Sequence, residues 1–189
     1  LDSAIMWLKK TKDYCLTYRP TKCEDPIVYT FCDSNFKVER SSGSQMGLIS
    51  LIGPRMDSKG SAPVEFLRFN SKRAKRVAHS TLTAETLAAV QGMEQNIGTR
   101  YRLNELDIET EGVLMTDCYS LFSGLYSMTT KGSEMLLPDF FELREYLMPW
   151  RWAHSPSFEG MKLEMWWVPT HLQLADNLTK IITPSTQLL

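Results

Sequence analysis

Cysteine is scarce in this 189-residue chain, and long apolar runs are missing. Its four cysteines (Cys15, Cys23, Cys32 and Cys118) form no CxxC pair and are too few for a disulfide scaffold, so they are read as free thiols suited to a reducing compartment. No stretch of about 18 uninterrupted apolar residues occurs and no charged-then-apolar leader opens the chain, so neither a membrane span nor a secretory signal is expected. Internal repeats and low-complexity segments are also lacking. The net charge is only -1, without the overall positive excess that would by itself point to a polyanion partner. The chain opens on Leu1 rather than Met and reads as a piece of a longer polypeptide.

What is present is enough apolar material, 43% of residues, to build the core of one domain. The near-zero charge hides an asymmetry. Residues 1–80 carry 14 Lys+Arg against 8 Asp+Glu, and residues 81–189 carry 7 against 14. Much of the positive charge sits in one place: Arg68, Lys72, Arg73, Lys75 and Arg76 follow one another with no acid between Glu65 and Glu85. A solvated loop would explain this run. Its position just before a helix that carries Glu85 points instead to a phosphate-contacting ridge.

The pattern of residues predicts an α/β domain. Residues 1–18 read as an appended helix, with Ala4, Ile5 and Leu8 opposite Lys9, Lys10 and Lys12, followed by a loop to Pro26. Ile27–Cys32 reads as a strand ending at Asp33, and its alternation places Ile27, Tyr29, Phe31 and Asp33 on one face. Two further strands, 45–52 and 64–69, complete an antiparallel meander. A helix capped at Ser80 or Thr81 runs to about Asn96. Its face around Glu85 is built from Ala88, Ala89 and Gly92, small enough to lie close to a sheet. Then come a strand at 113–116 ending at Asp117, helices at 119–127 and 134–148, a last strand at 161–168 and a terminal helix at 170–181. Trp166 and Trp167 alternate across that last strand, so one of them should face the core.

Four carboxylates stand out: Asp33 and Asp117 end apolar strands, Glu85 lies on a helix, and Asp176 lies near the end of the chain. Taken singly, each has a local explanation. Asp117 could cap the next helix, Asp33 could simply end a strand, Glu85 is an ordinary helix former and Asp176 could be solvated. Taken together, and if the strands that Asp33 and Asp117 close are parallel neighbours, they mark the crevice where an open α/β sheet binds ligands.

The residues around these acids resemble the ribonuclease H domain of Ty1/copia-type retrotransposon polyproteins. Val168-Pro169-Thr170-His171-Leu172-Gln173-Leu174-Ala175-Asp176-Asn177-Leu178-Thr179-Lys180 is similar to that family's closing V-P-T-x-x-Q-x-A-D-x-L-T-K signature. Ser80–Glu85 resembles its S-S-x-x-A-E segment, Asp117–Leu121 its D-N-x-S-hydrophobic segment, and Cys32–Phe36 its D-A-D-W segment. Trp7–Tyr18 looks like the stretch joining reverse transcriptase to ribonuclease H. Departures are Asn35 at the second acid of D-A-D-W, Cys118 at the Asn after the third acid, and Lys131-Gly132 where the family has K-H-I.

The resemblance implies a ribonuclease H-like mixed five-stranded sheet, order 3-2-1-4-5, with helices on both faces. It implies three segments: residues 1–22 as the end of the reverse transcriptase and its linker, 26–182 as the ribonuclease H-like domain, and 183–189 as a tail. Asp33, Glu85, Asp117 and Asp176 would be catalytic and would bind two Mg²⁺ ions about 4 Å apart, replaceable by Mn²⁺, in hydrolysing the RNA strand of an RNA–DNA hybrid. Asp33 would bridge both ions, Glu85 and Asp117 share one, and Asp176 hold the other. Ser34, Asn35 and Ser80 would meet 2′-hydroxyls or phosphates, and Arg68, Lys72, Arg73, Lys75 and Arg76 the backbone. His171, five residues before Asp176, is assigned to a surface loop. The partners implied are the hybrid and the polyprotein's own reverse transcriptase, with no membrane, in the cytoplasm, a virus-like particle or the nucleus. The alternatives are an inactive module that binds hybrid or braces a polymerase and, less in keeping with Asp176, a DDE-type integrase or transposase, whose last acid is a Glu on a late helix.

Overall fold

The computed structural model describes residues 5–6, 9–18, 23–36, 43–57, 60–127, 137–147 and 163–180. Five strands form one sheet: β1 (Ile27–Asn35), β2 (Gln45–Gly53), β3 (Glu65–Arg73), β4 (Glu111–Thr116) and β5 (Leu163–Trp167). Their spatial order is β3-β2-β1-β4-β5, with β1–β2 and β2–β3 antiparallel and β1–β4 and β4–β5 parallel. Helices α1 (Thr81–Asn104), α2 (Tyr119–Tyr126) and α3 (Leu137–Leu147) cover one face, and the one-turn α4 (Asp176–Thr179) lies against the other. This is the expected topology, and it matches the ribonuclease H-like fold.

The alternation of β1 divides the core between the two faces. Cys32 joins Leu48, Leu114, Ala88, Ala89 and Met93 beneath α1. Ile27, Tyr29 and Phe31 join Leu51, Val113, Met115, Val168 and Ala175 on the α4 side. The small-residue face of α1 brings helix and sheet together as expected. A Cβ on Gly92 would lie 2.8 Å from Leu114 Cδ1 and 3.1 Å from Cys32 Cβ, so a larger residue there would push the helix off the sheet. Asn96, fully buried on the same helix, donates through Nδ2 to the Val28 carbonyl at 2.8 Å and to Thr30 Oγ1 at 3.1 Å. These bonds fix the register of α1 over β1.

Several boundaries differ from those read in the sequence. Strand β3 reaches Arg73 rather than 69, because pairing with β2 continues through Gln45↔Arg73 across a polar Asn70–Arg73 segment with no hydrophobic alternation. Helix α1 continues to Asn104 past Gly98, and the chain reverses at Asp107, which is left-handed at φ 59. The expected helix 170–181 is instead a 3₁₀ turn, Thr170–Leu172, and then the four residues of α4. Near the start, Ile5, Met6, Lys9 and Lys10 are helical but 11–18 are not, so the expected helix through residue 18 ends sooner. Residues 134–136, 148, 161–162 and 181 and the tail 183–189 lie outside the described residues. Trp166 packs against Tyr29 with ring centroids 6.2 Å apart, while Trp167 is 44% exposed, so Trp166 is the inward one of the pair. Cys15, Cys23, Cys32 and Cys118 are all free thiols, and among the described residues no helix is long and apolar enough to cross a membrane.

Candidate active site

Strands β1 and β4 are parallel, so their carboxyl ends share one edge of the sheet, and Asp33 and Asp117 come together there. Helix α1 crosses beneath this edge. Ser80 caps it by accepting from Thr83 N–H at 3.1 Å, and Glu85 follows one turn inside, on the sheet-facing side. Asp33, Glu85 and Asp117 each present a carboxylate oxygen within 4.8 Å of the other two.

The environment of these acids sets aside their local explanations. Asp33 and Glu85 are each only 6% exposed, although carboxylates are rarely buried without a purpose. Cys118, not Asp117, is the N-cap residue of α2, so Asp117 is not there as its cap. Ser34 donates its hydroxyl to Glu85 Oε1 at 2.9 Å, while Glu85 Oε2 is buried without a hydrogen-bond partner. A buried lone carboxylate oxygen costs free energy unless a proton or cation meets it.

The electrostatics agree with that geometry. Burial, reinforced by the nearby Asp33 charge, pushes the Glu85 carboxyl up to about 8. Burial also raises Asp33, Asp117 and Asp176 push it the same way, and the Thr179 hydroxyl opposes them. Carboxylates repelling one another in a partly dry pocket are held together by protons or by metal. All three side chains offer hard oxygen ligands, and Cys32 and Cys118 are poor competitors because burial raises both thiols. The donor set and the unpartnered Glu85 oxygen therefore fit a hard divalent cation such as Mg²⁺ or Mn²⁺.

The fourth acid, Asp176, is not part of this close trio. It opens α4, half-buried, and its carboxylate pairs with Lys180 one turn on. Thr179 connects the two groups: its hydroxyl lies 2.6 Å from Asp33 Oδ2 and 2.9 Å from the Asp176 carbonyl oxygen. Two more contacts hold the segment against the sheet, and one within it orients Gln173. Gln173 Nε2 donates to the Cys32 carbonyl at 2.9 Å while its Oε1 accepts from Ala175 N–H at 3.2 Å. Ser71 Oγ donates to the Leu178 carbonyl at 2.7 Å. In the sequence Gln173 and Thr179 stand only as members of the closing motif, because nothing in their spacing shows that both reach β1.

The basic run lies at the same end of the sheet as the acids. Pairing aligns Ser71, Gly47 and Asp33 in one row, Lys72, Met46 and Ser34 in the next, and Arg73, Gln45 and Asn35 in a third. Two strand spacings, about 10 Å, separate Lys72 and Arg73 from the β1 residues. The run is not a single ridge. Lys72 shares the α1 face with Met46, and Arg73 the α4 face with Ser71. Arg68 belongs to the α1 face, paired with Ser50, which accepts from Gln95 on α1. Lys75 and Arg76 follow the strand, exposed, and Arg76 forms an ion pair with Asp139 on α3. Lys72 meets Gln91 on α1.

Of the expected polar contacts, Ser34 is bound to Glu85, Asn35 Nδ2 donates to the Thr179 carbonyl at 3.3 Å, and Ser80 is the cap of α1. On the β5 side, Trp167 Nε1 donates to the Asp117 carbonyl at 3.0 Å, and Tyr119 meets its ring edge-on with centroids 6.0 Å apart. His171 is exposed in the 3₁₀ turn.

No protein-family model and no curated protein matches the sequence. Among solved structures, the N-terminal RNase H domain of rv2228c from Mycobacterium tuberculosis is 14% identical, with a TM-score of 0.48 over 81% of this chain and 90% of that one. RNase H1 from the archaeon Halobacterium salinarum NRC-1 is 12% identical, with a TM-score of 0.48 over 81% and 93%. The protease–reverse transcriptase of prototype foamy virus is 13% identical, with a TM-score of 0.44 over 90% of this chain and 23% of that one. The chain's own strand order defines a ribonuclease H-like fold, and its site is a carboxylate cluster able to chelate a divalent metal.

Proposed function

We propose that this chain is a metal-dependent endonuclease that hydrolyses the RNA strand of an RNA–DNA hybrid, as the ribonuclease H module of a Ty1/copia-type retrotransposon polyprotein. One observation carries the reading: three acids from two strands and a helix converge at one sheet edge, and one of them keeps a buried oxygen without a partner. The closing motif supports the narrower assignment, because its Gln173 and Thr179 are the residues that bind the last segment to β1.

Asp33, Glu85 and Asp117 would hold the metal, with Asp176 as the fourth ligand. Bound divalent cations would activate water and stabilise the departing 3′-oxygen. The chain's own groups set the stage for this. Ser34 fixes the Glu85 carboxylate, Thr179 fixes Asp33, and Trp167 fixes the backbone at Asp117. Lys72, Arg73, Lys75 and the outer edge of β3 would take the backbone phosphates, with Arg68 further from the site and Arg76 shared with Asp139.

Residues 1–22 would belong to the connection with a preceding reverse transcriptase, 26–182 to the nuclease domain and 183–189 to a tail. Tyr14, Leu16 and Tyr18, exposed at 84%, 66% and 58%, support a docking role for the first segment.

The test is cleavage of a labelled hybrid by the chain with and without Mg²⁺ or Mn²⁺. Metal-dependent cutting of the RNA strand, lost in Asp33→Asn, is expected, and undiminished cleavage by that variant would overturn the site. Salt-sensitive hybrid binding with no cleavage in either metal would establish the inactive module instead.

A further inference from the structure

We infer that Lys180 is a built-in counter-ion for the outer half of the site, holding Asp176 until a second cation displaces it, so that the two cations load in order. The inference rests on the metal-dependent reading above and concerns how that site fills.

The close trio and Asp176 are different kinds of ligand. Asp33 and Glu85 are buried and lie with Asp117 within 4.8 Å of one another, whereas Asp176 stands outside that group with its side chain 26% exposed. The Asp176 carboxylate already has a cationic partner in the Lys180 ammonium, reached from one turn on, and that side chain is 60% exposed. The ammonium lies against Asp176 Oδ2, so it occupies one of the two oxygens that this carboxylate could offer a cation. Of the other basic groups near this edge, Lys72 is engaged with Gln91 and Arg76 with Asp139.

An exposed ammonium on a flexible stem is a weak and exchangeable partner. It can be displaced at little cost, but it must be displaced. A first cation entering among Asp33, Glu85 and Asp117 meets the unpartnered Glu85 oxygen and, among the described residues, no cationic side chain paired with these three acids, so this position fills first. A second cation taking Asp176 must break the Lys180 pair, so this position fills later and more weakly. The released ammonium remains at the site mouth, one helical turn from Asp176.

The experiment is Mn²⁺ binding to the whole chain without nucleic acid, followed by electron paramagnetic resonance and calorimetry. The unaltered chain is expected to show a tight and a weak class. Lys180→Gln should tighten the weak class by about fivefold, the scale of an exposed ion pair, and move the tight class by less than about twofold. Lys180→Arg, which keeps the charge, should retain the weak class near its original affinity. An unchanged weak class in Lys180→Gln, or an equal shift of both classes, would overturn the inference while leaving the metal site standing. Absence of any Mn²⁺ binding by the unaltered chain would overturn the metal reading and this inference together.

Discussion

Ser34 donates its hydroxyl to Glu85 Oε1 at 2.9 Å, joining the strand that carries the first acid of the trio to the helix that carries the second. The bond aims one carboxylate oxygen and leaves the other free. It also sets up a dependence on pH.

Glu85 titrates at about 8 in the native chain against an ordinary value of 4.5. Between these values the metal-free native state holds a proton that the unfolded chain has released, so stability falls as pH rises through this window, by about 3–5 kcal/mol at most. Asp33, also raised, acts in the same direction. Glu85→Gln should be more stable than the parent at pH 8 in chelator and should flatten the slope, as read by thermal melts across pH. With Mn²⁺ present the dependence should reverse, because binding requires the proton to leave and apparent affinity climbs towards pH 8.

Gly47→Ala tests how closely the last segment approaches the sheet. A Cβ there would lie 2.7 Å from the Ala175 carbonyl oxygen and 2.9 Å from both Leu178 Cβ and Thr179 Cγ2. The α4 turn must move away, taking Thr179 off Asp33. A loss of about 1–3 kcal/mol in stability is expected. Metal-dependent stabilisation, measured as the rise in Tm with Mn²⁺, should shrink further than that loss explains.

Gln173→Leu removes two hydrogen bonds from a residue only 5% exposed and leaves the Cys32 carbonyl and the Ala175 N–H without it. The expected cost is about 1–3 kcal/mol in urea unfolding. Gln173→Glu should be worse than Gln173→Leu, because a carboxylate beside the Cys32 carbonyl brings charge where a donor is needed.

Replacing both Lys72 and Arg73 by Ala should weaken hybrid binding by a chain carrying Asp33→Asn. The slope of log K against log salt should fall by about 1.5–2, the share of two phosphate contacts. An unchanged slope would remove these residues from the nucleic-acid surface.

Asp33 and Asp117 were legible because each closes an apolar run that must enter the core, Ile27–Cys32 before Asp33 and Val113–Thr116 before Asp117, although β1 itself runs on to Asn35 through its pairing with β2. Glu85 was legible through the small residues that follow it on the same helix face. The far end of β3 was not, since Asn70–Arg73 is polar and is strand only because β2 continues beside it. Nor was the break in the last helix, which Gln173 imposes by bonding to Cys32, 141 positions earlier. Propensity reports on neighbours along the chain, and these features depend on neighbours across the sheet.

The bond between Thr179 and Asp33 spans 146 positions. Severed at the exposed 105–109 reversal, the chain would leave Asp33 and Glu85 on one fragment and Asp117 and Asp176 on the other. Each fragment would be an incomplete chelator, and only their reunion along the β1–β4 seam would restore one, which makes the molecule a natural candidate for a split reporter whose signal is the meeting of its two halves.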